Sequence, residues 1–120
     1  MVVMKFGGTS VGSAARILQL TEIVRGQSER SPVVVVVSAM SGVTNLLEEA
    51  CNKAAAQDES FRIVVEAIAR QHDECIGSIP FSPAISSRLI THVRESLQRL
   101  GEICKGLFLV GDLTPKTKAH

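Results

Sequence analysis

Val33-Val34-Val35-Val36-Val37 is a run of five β-branched residues with no polar alternation. Successive strand side chains point to opposite faces, so this run asks for cover on both. Strands of that kind belong to parallel sheets held between helix layers. Upstream, Val2 to Phe6 is a second short strand signal, stopped by Gly7 and Gly8. Thr9 or Ser10 is placed to cap a helix over 14–24, with apolar spacing Ala14, Ile17, Leu18, Thr21, Val24. Gly26 to Pro32 is a polar turn that leads into the valines. Downstream, Ser38 to Gly42 is a small-residue turn. Val43, Leu46, Leu47, Ala50, Cys51 and Ala54 then line one face of a second helix. The order β-loop-α-β-loop-α implies an α/β fold with a right-handed parallel crossover.

The remainder has helical spacing. Phe61, Val64, Val65, Ile68, His72, Cys75 and Ile76 share one face of a third helix. Ser82 and Pro83 are a cap and first residue for a fourth. Its stripe is Ile85, Leu89, Val93, Leu97, Leu100, Cys104 and Phe108, and Gly106 and Gly111 weaken its end. Thr114 and Pro115 look like the start of a further helix, one turn long. Two strands rarely hold a sheet alone. The expectation is therefore that residues 1–120 are the N-terminal part of a longer protein. A small complete domain with one more edge strand ranks second.

Composition narrows the function classes. Of 120 residues, 45% are hydrophobic and 21% charged, which is globular and not disordered. Thirteen basic against twelve acidic residues give a net charge of +1, which speaks against a nucleic-acid binder. The four Phe are scattered and there is no Trp or Tyr, so no base-stacking platform is seen. No apolar run is long enough to span a membrane. No targeting pattern precedes the first strand, so the cytoplasm is the expected location. Cys51, Cys75 and Cys104 are widely spaced without C-x-x-C, and are read as buried hydrophobes, not zinc ligands or disulfides.

The segment with chemistry is Lys5-Phe6-Gly7-Gly8-Thr9-Ser10-Val11-Gly12, at a strand-to-helix junction. Gly7 and Gly8 let a ligand approach the backbone. Loop and helix-start N–H groups, with the helix dipole, favour an anion such as phosphate. Thr9 and Ser10 add hydroxyl donors. Lys5 stands near the strand end, where a buried ammonium needs an anionic partner. The pattern is neither G-x-x-x-x-G-K-[ST] nor G-x-G-x-x-G. A plain tight turn with a solvated Lys5 is the competing reading. The second loop, Ser38-Ala39-Met40-Ser41-Gly42-Val43-Thr44-Asn45, also leaves a strand's carboxyl end, where parallel sheets bind ligands. Ser38 and Thr44 are divided about evenly between ligand contact and local structure, whereas Ser41 reads as a helix cap.

K-F-G-G-T-S-V-G at 5–12 and V-S-A-M-S-G-V-T-N at 37–45 resemble the N-terminal motifs of the aspartate kinases, within the amino acid kinase family. G-L-F-L-V-G-D-L-T-P-K-T at 106–117 is similar to the segment before that family's S-F-G-E motif. The resemblance runs through the chain and is looser over 50–105. It implies a three-layer α/β/α sandwich, carbamate kinase-like, with a mainly parallel sheet. It implies transfer of a phosphoryl group from ATP, with Mg²⁺, to the β-carboxylate of L-aspartate. Lys5 then matches the lysine on the transferring phosphoryl group. Phe6, Gly7, Gly8, Thr9 and Ser10 match the phosphate cradle, and Ser38 and Thr44 match residues near aspartate. The family's homo-oligomeric assembly is expected of the whole enzyme. The S-F-G-E glutamate, a substrate arginine, the base pocket and the regulatory domains would follow His120, so the chain alone is expected to be inactive. The alternatives are a non-catalytic anion- or nucleotide-binding module, and an amino acid kinase for another carboxylate.

Elsewhere the bland readings prevail. His72 is read as a core or interface histidine, and Asp73 and Glu74 as facing water. Asp112 is read as a helix-end residue. No metal ligands are assigned.

Overall fold

The computed structural model describes residues 1–111, in the order β1 (Val2–Phe6), α1 (Ala14–Ser28), β2 (Val33–Val37), α2 (Val43–Ala55), α3 (Phe61–Gly77) and α4 (Pro83–Leu109). The readings given to Asp112, Thr114, Pro115 and His120 fall outside the described residues. The chain divides into two compact units, Met1–Thr44 and Asn45–His120.

In the first unit β1 and β2 form a parallel pair, in register from Val2 against Val33 to Phe6 against Val37. The pairing extends past both ends: the Val2 N–H donates to Pro32 O at 2.9 Å and the Ser38 N–H to Phe6 O at 3.0 Å. α1 packs on β2. Val2, Met4 and Phe6 are half-buried, whereas Val3 and Lys5 point to an exposed face. The predicted burial of the valines on both faces is not met among the described residues. The sheet has two strands, and Val34 to Val37 are 41–55% exposed. The result is a helix-rich α/β structure with a small parallel sheet.

Three details of α1 differ from expectation. Its cap is Ser13, whose Oγ accepts from the Arg16 N–H at 3.2 Å, and not Thr9 or Ser10. Two consecutive turns delay the helix: the Ser10 N–H donates to Gly7 O and the Gly12 N–H to Thr9 O. The helix also runs through Gly26 to Ser28, where the Ser28 hydroxyl donates to Arg25 O at 2.8 Å. Its buried line is Ile17, Leu20 and Val24, while Leu18 is exposed. Thr21 lies on the outer side and donates its hydroxyl to Ile17 O and Leu18 O.

The second unit closes around a helical interior of Ala50, Ala54, Phe61, Val64 and Cys104, with Leu100, Leu107 and Phe108 packed against it. The rings of Phe61 and Phe108 are tilted with centroids 5.9 Å apart. The predicted stripes of α3 and α4 are their buried or half-buried faces, apart from the exposed Ile85. Ser82 caps α4 as expected: its Oγ accepts from the Ile85 N–H at 3.3 Å, with Pro83 in the first turn. Gly106 does not end α4, which continues to Leu109. Between α2 and α3, the Asp58 carboxylate accepts from the Ser60 N–H at 2.9 Å and lies 3.6 Å from Lys53 Nζ. The Ser60 bonds, and then Lys53, hold its carboxyl below the usual range.

His72 is half-buried, with Nδ1 2.7 Å from Ile68 O, in line with the core reading. Asp73 does not simply face water. It pairs with Arg94 and ties α3 to α4. No helix among the described residues is long and apolar enough to cross a membrane.

Candidate functional site

Because β1 and β2 are parallel and in register, their carboxyl ends lie side by side. The loop after Phe6 and the loop after Val37 therefore leave the same sheet edge, where ligands bind in open parallel sheets. The two loops interlock. A Cβ placed on Gly8 would stand 3.1 Å from Ala39 O and 3.4 Å from Ser38 Oγ. One on Gly12 would stand 3.1 Å from Gly8 O and 3.2 Å from Ser41 Cβ. A side chain at either position would press its neighbours aside by a few tenths of an ångström. Gly42, with φ +83°, turns the second loop into α2. Gly7 differs: a Cβ there would meet nothing within 4 Å. The two adjacent glycines thus have separate roles. Gly8 packs loop on loop, and Gly7 leaves open space at the end of β1. The sequence signalled the glycine pair but not this division, nor the tasks of Gly12 and Gly42.

Lys5 lies on the exposed face of β1 beside Val36 of β2, and has no ion pair among the described residues. Its expected burial is not seen, because nothing described covers that face. The Phe6 ring lies on the other face, where it lines a cavity of about 140 Å³ with Ser10, Arg16 and Leu20. Toward the loops Phe6 presents its carbonyl, which accepts from Ser38. The Ser10 and Gly12 amides are used in turns, while those of Gly8 and Thr9 have no hydrogen bond among the described residues. The Thr9 and Ser10 hydroxyls are likewise uncommitted there. The Ser38 hydroxyl donates to Ala39 O at 2.8 Å, which fixes it against Gly8. Thr44 is exposed in the first turn of α2. The structure brings Gly8 and Ser38 into contact and leaves Lys5, Gly7, Thr9 and Thr44 open to solvent or space.

The arrangement offers backbone amides, hydroxyls and one unpaired ammonium at a sheet edge, which is donor chemistry for an anion. It offers no cation site: among the described residues no three of His, Cys, Asp and Glu gather to hold a metal ion.

Several known proteins are similar in sequence to this chain. An aspartokinase of Chlamydia muridarum is 40% identical over 84 residues, covering 67% of this chain and 18% of its own. One of Chlamydia trachomatis is 37% identical over 115 residues, covering 92% and 25%. A chloroplastic bifunctional aspartokinase/homoserine dehydrogenase 2 of Arabidopsis thaliana is 32% identical over 110 residues, covering 91% and 12%. The chain thus spans between about an eighth and a quarter of these relatives' lengths. The sequence pattern of the amino acid kinase family matches residues 1–107, and with its paired glycine and serine loops at one parallel-sheet edge the chain belongs to that family.

Proposed function

We propose that residues 1–120 are the N-terminal part of an aspartate kinase catalytic domain, within a three-layer α/β/α sandwich. The whole enzyme would transfer the ATP γ-phosphoryl group to the β-carboxylate of L-aspartate, giving 4-phospho-L-aspartate, the first step toward lysine, threonine and methionine. The observation that carries this reading is the interlock of the Gly8 loop with the Ser38 loop at the carboxyl ends of two parallel strands. The aspartokinase names of the relatives support it.

In this reading the Gly8 and Thr9 amides and the Thr9 and Ser10 hydroxyls hold phosphate oxygens. The open space at Gly7 admits them. Lys5 neutralises charge on the transferring group. Ser38 and Thr44 border the aspartate. The nucleophile is a carboxylate already ionised at neutral pH, so no general base is needed. Catalysis then rests on positioning and charge neutralisation. Mg²⁺ bound with the nucleotide would supply further charge neutralisation. The uncovered valine face supports a partial domain, because the rest of a sandwich would cover it.

The test is Lys5→Ala in the full-length protein. Turnover should fall by about 100-fold or more, with ATP affinity changed far less. Equal small losses in both would favour a non-catalytic anion-binding module. Activity with glutamate or acetylglutamate in place of aspartate would favour another carboxylate kinase. The purified 120-residue chain should form no aspartyl hydroxamate with ATP and hydroxylamine.

A further inference from the structure

Outside the loop site, α3 and α4 leave an open groove between them that the proposed reaction does not use. The two helices run antiparallel, with Phe61 beside Phe108 at one end and Asp73 beside Arg94 further along. Near the Phe61 end the groove widens to a cavity of about 430 Å³, a size that holds small organic ligands. Each helix lines it with residues at the same spacing, i, i+1 and i+4: Phe61, Arg62 and Val65 from α3, and Gly101, Glu102 and Lys105 from α4. The buried Phe61 and the half-buried Val65 and Gly101 make the floor. The exposed Arg62, Glu102 and Lys105 make the rim. Gly101 sits inside a 27-residue helix, which a glycine weakens. A Cβ there would meet nothing within 4 Å, so close packing does not call for glycine, and its effect is to leave the cavity open.

We propose that this groove binds a small organic monoanion, an apolar ring system bearing one carboxylate. Charge complementarity selects that occupant. Arg62, Lys105 and Glu102 have no ion pair among the described residues. Two cations against one carboxylate leave the rim with one unit of positive charge. The Arg62 guanidinium carbon lies 4.9 Å from the centroid of the Phe61 ring, which holds that charge over the floor. Arg62 and Lys105 take the ligand's carboxylate by charge-assisted hydrogen bonds. The ring system lies on Phe61 and Val65, in the space that Gly101 leaves. Glu102 repels a second negative charge, so dicarboxylates and phosphate esters are disfavoured. The site lies wholly within the second unit and does not depend on the reading given to the two loops.

The experiment titrates the full-length protein with 2-naphthoate in a calorimeter. Saturable binding is expected with a Kd of about 1 mM or tighter. Neutral 2-naphthamide and the dianionic naphthalene dicarboxylate should each bind roughly five-fold more weakly or worse. Gly101→Leu fills the cavity with a better helix former. It should abolish binding, with helical circular dichroism retained and the thermal midpoint unchanged or raised. Arg62→Met should weaken binding about ten-fold, and Glu102→Gln should tighten it. Equal binding of the amide, unchanged binding by Gly101→Leu or Arg62→Met, or no saturable binding would overturn the proposal. So would a fall in the midpoint of Gly101→Leu, since a segment of the longer chain would then occupy the groove. A smaller sedimenting mass for that variant without ligand would make the groove a contact between copies of the chain, and would overturn it too.

Discussion

The two units use similar apolar residues to different ends. In the helical unit Phe61 is 2% exposed, enclosed by Ala50, Ala54, Val64 and Cys104 of the same unit. In the first unit Val3 is 63% exposed and Val36 is 45% exposed, on the sheet face opposite the half-buried Phe6. A helix satisfies its own backbone and needs only one packed face. A strand needs lateral partners and cover on two faces, and a pair of strands supplies little of either. Apolar content alone therefore does not tell whether a segment's partners lie nearby in the chain.

The largest expected effect tests the closed unit. Phe61→Ala should cost about 3–5 kcal/mol, read by urea unfolding of helical circular dichroism. A cost below about 1 kcal/mol would mean that the helical interior is loosely packed. Next comes the loop interlock in the open unit. Gly12→Ala should cost about 1–3 kcal/mol, since two backbone oxygens and Ser41 Cβ crowd the new methyl group. Gly7→Ala should leave stability within about 0.5 kcal/mol while weakening ATP binding in the full-length protein. Equal stability costs at the two glycines would erase the distinction drawn between them. The smallest effect is on the valine face. Val36→Thr should shift the 120-residue chain by about 0.5 kcal/mol or less, and the full-length protein by about 1–3 kcal/mol if its sheet is covered. A large cost in the short chain would show that the face is already covered there.

Much of the architecture was legible because its periods are unambiguous. Seven apolar residues of α3 share one face, and Ser82-Pro83 marks the start of α4 by local chemistry alone. The face of α1 was not legible. Ile17 and Val24 fit a stripe with Leu18 and Thr21 as well as one with Leu20, and contact with the sheet chooses. Three hydroxyl residues, Thr9, Ser10 and Ser13, compete for one cap, and two turns in the glycine loop settle the contest. The Asp73–Arg94 pair joins residues 21 apart in sequence, a separation that no local pattern reports. At the candidate site the motif was legible and the division of labour among its glycines was not. The exposure of Lys5 depends on what covers the face it shares with Val3, a tertiary question that its own neighbours in sequence do not answer.

The open valine face also sets a condition on synthesis. Chains emerge at about 5–20 residues per second, N-terminus first. Residues 1–44 leave the ribosome before the helices that follow, and Val3, Val34 and Val36 on the outer face of their sheet are exposed among the described residues. These valines, with two strand edges unpaired among the described residues, then form a binding surface for other nascent chains. Lys5, a charge in the middle of that face, is then the residue that opposes such pairing. A lysine proposed for phosphoryl transfer in the finished enzyme would thus begin its work as a gatekeeper against aggregation.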